Sequence, residues 1–468
     1  MAQRRARWAL ALGGLVVMLI LLNAVFGGGA LPKPPPAGVA AGASAGNPFA
    51  YVASRESDFI ARATAGEAHV LFTQSPGGVV LTAARVAAFR PAIDRATAGT
   101  GLDPNLLEAL VYVESAGRPD AIAGSDPADA AGLTQILAST GQSLLGMHIN
   151  LALSRALTQK IDAVAAGRRA GRLGPLLAAR EAADARFYPA KALSATVRYL
   201  QFAQRQFGRA DLAVESYHMG VGNLHNVLDA YDGGRAVPYV QLYFDSDPDR
   251  HPAAYKLLSG FGDDSELYYW RLLGAEQVMH LYRTARSALI HLASLQTADG
   301  AGASVLHPPG RPARYGDPAA VAAAFTHHGL VPLPSNASAL GLSYAPSMGA
   351  GASKVGAPPS LYRGLAPPAL RLLIALAARV RTLSGEPSSL RVQSTVTDRR
   401  YQASRGIQDP IATTGYTFTI ARRYHNDAQA AAFQSVLDRL QSLNLIAWVR
   451  DPSTIQITVA SDAASWAR

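Results

Sequence analysis

Between residues 59 and 295, apolar side chains recur every three to four positions, and strand-like alternation is scarce. TAARVAAFR, PNLLEALVYVES, ALSATVRYLQFAQRQFG and LYYWRLLGAEQVMHLYRTARSALIHLASL all carry this spacing. It gathers the apolar groups on one helix face and commits the stretch to a nearly all-α domain. A chain of 468 residues is too long for one ordinary core, so a second domain is expected. It starts near residue 361. PALRLLIALAARVRTLSG and AQAAAFQSVLDRLQSLN read as helices, while LRVQSTVT, GYTFTIAR, IAWVRD and STIQITVA alternate like strands. Residues 361–468 are therefore expected to form a small α+β domain. The stretch 296–360 loses periodicity and reads as a linker, with one short helix at PAAVAAAFTHHG. The Ala/Arg-rich residues 147–187 read as a helical hairpin inserted in the α domain, with no chemistry assigned.

The N-terminus adds a membrane signal. Arg4, Arg5 and Arg7 precede a charge-free run from Trp8 to Phe26. As a helix that run spans about 28 Å, close to one hydrocarbon core. Basic residues ahead of it keep the tip cytoplasmic. Residues 1–27 are thus expected to be a cytoplasmic tip and transmembrane anchor, and the Pro/Gly/Ala-rich residues 28–58 a linker. The body would lie on the extracytoplasmic side of the cell membrane, or be secreted if the segment is a cleaved signal peptide.

Composition excludes several chemistries. With no Cys there is no disulfide framework, thiolate zinc site, thiol nucleophile or acylated anchor. A formal net charge of +10 favours anionic partners such as nucleic acid, acidic lipid or cell-wall polymer. No cation block or nucleic-acid motif is present, so nucleic acid is not expected as a partner. The adjacent His327 and His328 read as a solvated pair rather than metal ligands.

One carboxylate stands out. Asp103–Pro104 is a helix start, an N-cap followed by Pro at the first helical position. From there Leu107, Leu110, Val111 and Glu114 fall on one stripe, with Glu108 on a different, polar side. Glu114 therefore points where the core points, one turn before the break at Gly117 and Pro119. Apolar surroundings disfavour a charged carboxylate and raise its pKa, which suits a general acid. On this helix alone, a Glu paired with an Arg, or one exposed at a fraying helix end, is the preferred reading.

The following residues carry a resemblance. Glu114–Ser115, then Gly132–Leu133–Thr134–Gln135–Ile136–Leu137–Ala138–Ser139–Thr140, then Ser216–Tyr217–His218–Met219–Gly220 resemble, in order and spacing, the three motifs of the lytic transglycosylase (goose-lysozyme-like) family. The resemblance covers about residues 80–285. It implies a mainly α lysozyme-like fold at 59–295 and a peptidoglycan substrate. It implies Glu114 as the single catalytic acid, which protonates the glycosidic oxygen between N-acetylmuramic acid and N-acetylglucosamine. The same group then acts as base while the muramyl hydroxyl closes an anhydro ring, so no second carboxylate is required. Ser115, Gln135, Tyr217 and His218 are implied substrate-binding residues, together with a tyrosine on a later helix, taken as Tyr269. Three departures stand out: Thr134 and Ala138 replace Met and Pro, His218 replaces Asn, and Asp126 and Asp129 lie near the site. An aspartate facing Glu114 would favour a hydrolytic muramidase; an altered cleft would leave a non-catalytic wall-binding scaffold. Proteins of cell-wall synthesis or division are candidate partners.

The C-terminal strands resemble, more faintly, the zinc D-alanyl-D-alanine carboxypeptidase fold over about 361–460. That family's zinc ligands fall here on Ala412, Thr419 and Gln456, and its early Arg on Thr397. His425 is the one His of this region, and a zinc site needs three protein ligands. No zinc, no other cofactor and no peptidase activity are expected; a stem-peptide groove or a plain packing domain remain as alternatives.

Overall fold

The three-to-four spacing is realised as helix. The structure, a computed structural model, describes residues 47, 49–167, 173–306, 312–385 and 387–466. No helix among the described residues is long and apolar enough to cross a membrane. The anchor expected at 1–27 lies outside the described residues.

The chain divides into two compact units, each discontinuous in sequence. The described part of the first comprises 74–167, 173–226 and 261–289. Its helices are α1 (Val79–Ala87), α2 (Arg90–Thr97), α3 (Pro104–Ser115), α4 (Ala138–Ser143), α5 (Leu151–Ala166), α6 (Leu173–Ala183), α7 (Pro189–Phe207), α8 (Ala210–Met219) and α9 (Tyr268–Thr284). Helix α3 is central, packed by α9, α1 and α2. It contributes Leu107, Leu110 and Val111, and α9 contributes Trp270, Leu272 and Val278, all buried. Each such leucine contributes about 2 kcal/mol by leaving water. The expected hairpin is present as α5 and α6, which pack on each other.

Glu108 departs from its expected polar side. It is fully buried, because Arg90 (3.2 Å) and Arg283 both reach its carboxylate. Such pairing offsets the desolvation that would otherwise expel the charge.

The second unit holds a mixed five-stranded sheet among the described residues. Its strands are β1 (Leu342–Tyr344), β2 (Leu390–Ser394), β3 (Thr417–Ala421), β4 (Ile446–Arg450) and β5 (Thr454–Val459), in the order β1-β2-β3-β5-β4. β1 runs parallel to β2, and the other pairings are antiparallel. Helices Pro367–Ser384 and Asp427–Ser442 pack together. This agrees with the α+β pattern read from residue 361 onward.

The units do not follow the expected linear boundaries. Residues 59–73, 227–260 and 290–295, expected in the helical domain, belong to the second unit, as do 49–58 of the expected linker. In helix Glu56–Glu67, Phe59 meets the ring edges of Phe244 and Trp466, each 5.0 Å between centroids. Ser442 donates to Glu67 at 2.6 Å. A Cβ on Gly66 would stand 2.2 Å from the Gln441 carbonyl oxygen, so only glycine permits that approach. The described residues of the expected linker 296–360 are also folded. It supplies β1, the helix Pro318–Thr326 and the buried Val321, Leu342 and Ala352. Its 3₁₀ turns and short strands leave no long period to read.

Candidate active site

Helix α3 begins and ends as its sequence dictates. Asp103 caps it by accepting from the Asn105 N–H at 2.8 Å, with Pro104 in the first turn. It stops where Ala116 and Gly117 turn left-handed, φ 54° and 73°. Arg85 of α1 donates to the Ala116 carbonyl at 3.1 Å, satisfying one of the orphan acceptors of a helix end. The last turn is therefore fixed, and Glu114 with it.

Glu114 is partly buried, and its Oε1 accepts the Tyr268 hydroxyl at 2.7 Å. Desolvation pushes the carboxyl up to about 8, against the opposing pull of the Tyr268 hydrogen bond. Near neutral pH this group holds a proton that an ordinary glutamate would have lost.

Two further rings stack on that of Tyr268. Tyr217 stacks on Tyr268 at 6.4 Å with an 18° interplanar angle, and His218 stacks on Tyr268 at 5.2 Å and 8°. Tyr217 donates to the Thr134 carbonyl at 2.7 Å, which ties α8 to the Gly132–Thr140 turn. Burial, with the nearby Glu114 charge as the next cause, raises the Tyr217 and Tyr268 hydroxyls above their ordinary values. Both stay protonated donors. His218 is exposed at its edge, yet its environment lowers its pKa. Desolvation is the main cause; Arg271 adds to it, and Asp263 and Asp264 oppose it.

The turn itself is clamped from a buried ion pair. Arg186 and Asp184 are fully inaccessible and paired at 2.7 Å. The guanidinium also donates to the carbonyls of Pro127, Asp129 and Ile136. A Cβ on Gly132 would lie 1.9 Å from the Arg186 carbonyl oxygen, and its φ is +82°, so both space and backbone demand glycine there.

The expected site residues thus separate. Glu114, Tyr217 and His218 come together around Tyr268. The hydroxyl on Glu114 is that of Tyr268, in place of the expected Tyr269. One position further on, the Tyr269 side chain leaves about 100° around the helix, and its backbone N–H is bound by Glu215 at 3.0 Å. Ser115 is buried and spent on the helix end: it donates to the Val111 carbonyl and accepts from the Arg118 N–H. Gln135 (φ 49°) braces its own turn, donating to the Gly132 and Ala121 carbonyls at 2.8 and 3.1 Å. Asp126 pairs with Arg155 at 2.8 Å and accepts the Ala128 N–H. The Arg155 hydrogen bond, then the Ala128 one, lowers its pKa. Asp129 is exposed. Among the described residues, no three His, Cys, Asp or Glu side chains gather as a metal site.

Tyr268, Glu215 and the Asp184–Arg186 pair were not singled out in the sequence. For Tyr268 a signal exists: Tyr268, Leu272, Ala275 and Met279 form one stripe at helical spacing, all buried.

The family model described as Transglycosylase SLT domain matches residues 91–170, which supports a lytic transglycosylase domain. The matched stretch holds Glu114 and the Gly132–Thr140 turn; Tyr217, His218 and Tyr268 lie beyond it. No curated protein matches the chain.

Proposed function

We propose that this protein cleaves peptidoglycan glycan strands between N-acetylmuramic acid and N-acetylglucosamine by non-hydrolytic transglycosylation. The observation that carries the reading is Glu114, a carboxyl kept protonated near neutral pH and held by Tyr268 within the matched domain. The protonated carboxyl gives its proton to the glycosidic oxygen as the bond to the muramyl C1 breaks. The resulting carboxylate takes the proton of the muramyl hydroxyl as that oxygen bonds to C1. Glu114 ends as it began, with no water consumed. Tyr217 lines the sugar site and steadies the oxocarbenium-like state, with the exposed edge of His218 beside it. Asp126, engaged by Arg155, gives no support to a second catalytic carboxylate and hence to a muramidase. Product analysis of digested peptidoglycan tests the reading. Anhydro-muramyl ends are expected; reducing ends or intact glycan would overturn it.

The same reading puts the body on the extracytoplasmic side of the membrane, held by residues 1–27. Fractionation of cells should recover the full-length protein in the membrane, resistant to high salt; recovery of a shortened soluble form would refute the anchor.

We propose that residues 361–468 keep a carboxypeptidase-like frame without zinc chemistry. Thr419 and Gln456, two of the three positions aligned with zinc ligands, face each other across β3 and β5. Gln456 is spent on the Asp409 carboxylate. Cleavage is therefore assigned to Glu114 alone, and this segment is proposed to bind stem peptide or only to pack.

A further inference from the structure

Glu215 is a fully buried carboxylate that the cleavage steps above do not use. It lies on α8, two residues before Tyr217. Its Oε2 accepts the backbone N–H of Tyr269, in the first turn of α9. First-turn N–H groups have no acceptor within their own helix, and a carboxylate is favoured beside them. The residue before Tyr269 is Tyr268, whose hydroxyl reaches Glu114. One chain of contacts therefore runs from Glu215 through the start of α9 and Tyr268 to the acid. The rest of that start is held locally: Asp263 accepts from the Ser265 N–H, and Asp264 pairs with Arg271.

We propose that Glu215 is a positioning residue for the cleavage reaction, its carboxylate fixing the first turn of α9 so that the Tyr268 hydroxyl stays on Glu114. The role rests on the cleavage reading above. Helix α8 then supplies two ring contacts to Tyr268, from Tyr217 and His218, and, through Glu215, the acceptor for the next backbone N–H.

The groups that bear on the titration of Glu114 are few. Tyr268 faces it from α9 and Tyr217 from α8. Tyr268 in turn senses Glu114, Tyr217 and Glu215. His218 on the Tyr268 ring has Asp263, Asp264 and Arg271 around it. The Tyr268 hydrogen bond lowers the Glu114 pKa, so losing it moves the titration to higher pH.

The test is a double-mutant cycle read on the Glu114 carboxyl by carbon NMR across pH, with cleavage rates alongside. Tyr268→Phe is expected to raise the Glu114 midpoint and lower kcat about 10- to 100-fold. Glu215→Ala should do the same, and the double variant should go no further, because both remove one contact. Glu215→Asp withdraws the acceptor but keeps the charge, and should resemble Glu215→Ala, which matters if the alanine variant fails to fold. Glu215→Gln keeps the acceptor and should stay near wild type. A Glu114 midpoint unmoved in Glu215→Ala and Glu215→Asp, or full additivity with Tyr268→Phe, would overturn the proposal. A shift in Glu215→Gln without one in Glu215→Asp would do so too, by assigning the effect to charge. The NMR midpoint needs no substrate. A wild-type protein that releases no anhydro ends would sink the cleavage reading and leave this result standing.

Discussion

Glu114→Gln is expected to lower glycan cleavage by about three to four orders of magnitude, the upper range for loss of a general acid, because the same carboxyl serves twice. Gln keeps the size of the side chain and an oxygen for the Tyr268 hydroxyl, so the fold should survive. Stability should change in a pH-dependent way. The folded carboxyl titrates at about 8, above its ordinary 4.5. The folded state therefore binds the proton more tightly than the unfolded chain. That contribution is complete below about 4.5 and is lost as pH rises through 8. Gln carries no such dependence. The variant should match the wild type at low pH and gain on it steadily to about pH 8, by up to a few kcal/mol. Urea unfolding at a series of pH values measures this. Cleavage near the wild-type rate would remove Glu114 from the chemistry. A stability difference flat with pH would remove its raised pKa.

The second large effect concerns the clamp under the Gly132–Thr140 turn. Arg186→Ala leaves Asp184 as a buried, unpaired charge and strips a donor from the carbonyls of Pro127, Asp129 and Ile136. Breaking a buried pair by removing one partner costs about 3–5 kcal/mol, and the freed carbonyls add to that. Denaturant unfolding of the purified variant should show a loss of this size. Arg186→Lys should fail to restore it, since an ammonium cannot reproduce the planar set of five donors. Removing Asp184 together with Arg186 should cost less than the sum of the two single changes. A loss within about 0.5 kcal/mol for Arg186→Ala, the range of an ordinary surface change, would show that the turn is held by other means.

The local rules were readable and the distant ones were not. Asp103–Pro104, the spacing of Leu107, Leu110 and Val111, and the stop at Gly117 are properties of one short stretch, and helix α3 follows them. The strand alternation after residue 390 likewise survives in β2 to β5. Glu108 was misplaced because its partners, Arg90 and Arg283, stand 18 and 175 residues away, and no periodicity reports them. Tyr268 and Tyr269 are neighbours, so motif order cannot separate them; only the buried stripe through Leu272 and Ala275 does. Ser115 and Gln135 sit in the expected motifs, but the Ser115 hydroxyl and the Gln135 amide nitrogen are engaged by nearby backbone groups. The resemblance located the segment, and the hydrogen bonds show which tyrosine of the pair, Tyr268, reaches Glu114.

The second unit draws its first helix and its last residues from opposite ends of the described chain. Arg62 binds the Asp462 carboxylate across a separation of 400 residues, beside the ring contact of Phe59 with Trp466. On a ribosome the first of these partners emerges long before the last. At about 5–20 residues per second, helix Glu56–Glu67 waits roughly 20–80 s for the end that covers it. During that interval Phe59 has no Trp466 to cover it, and the wait is set by gene order rather than by folding speed. Completion of this unit is therefore tied to synthesis of Trp466: a chain that stops short of that residue would lack the aromatic that closes over Phe59.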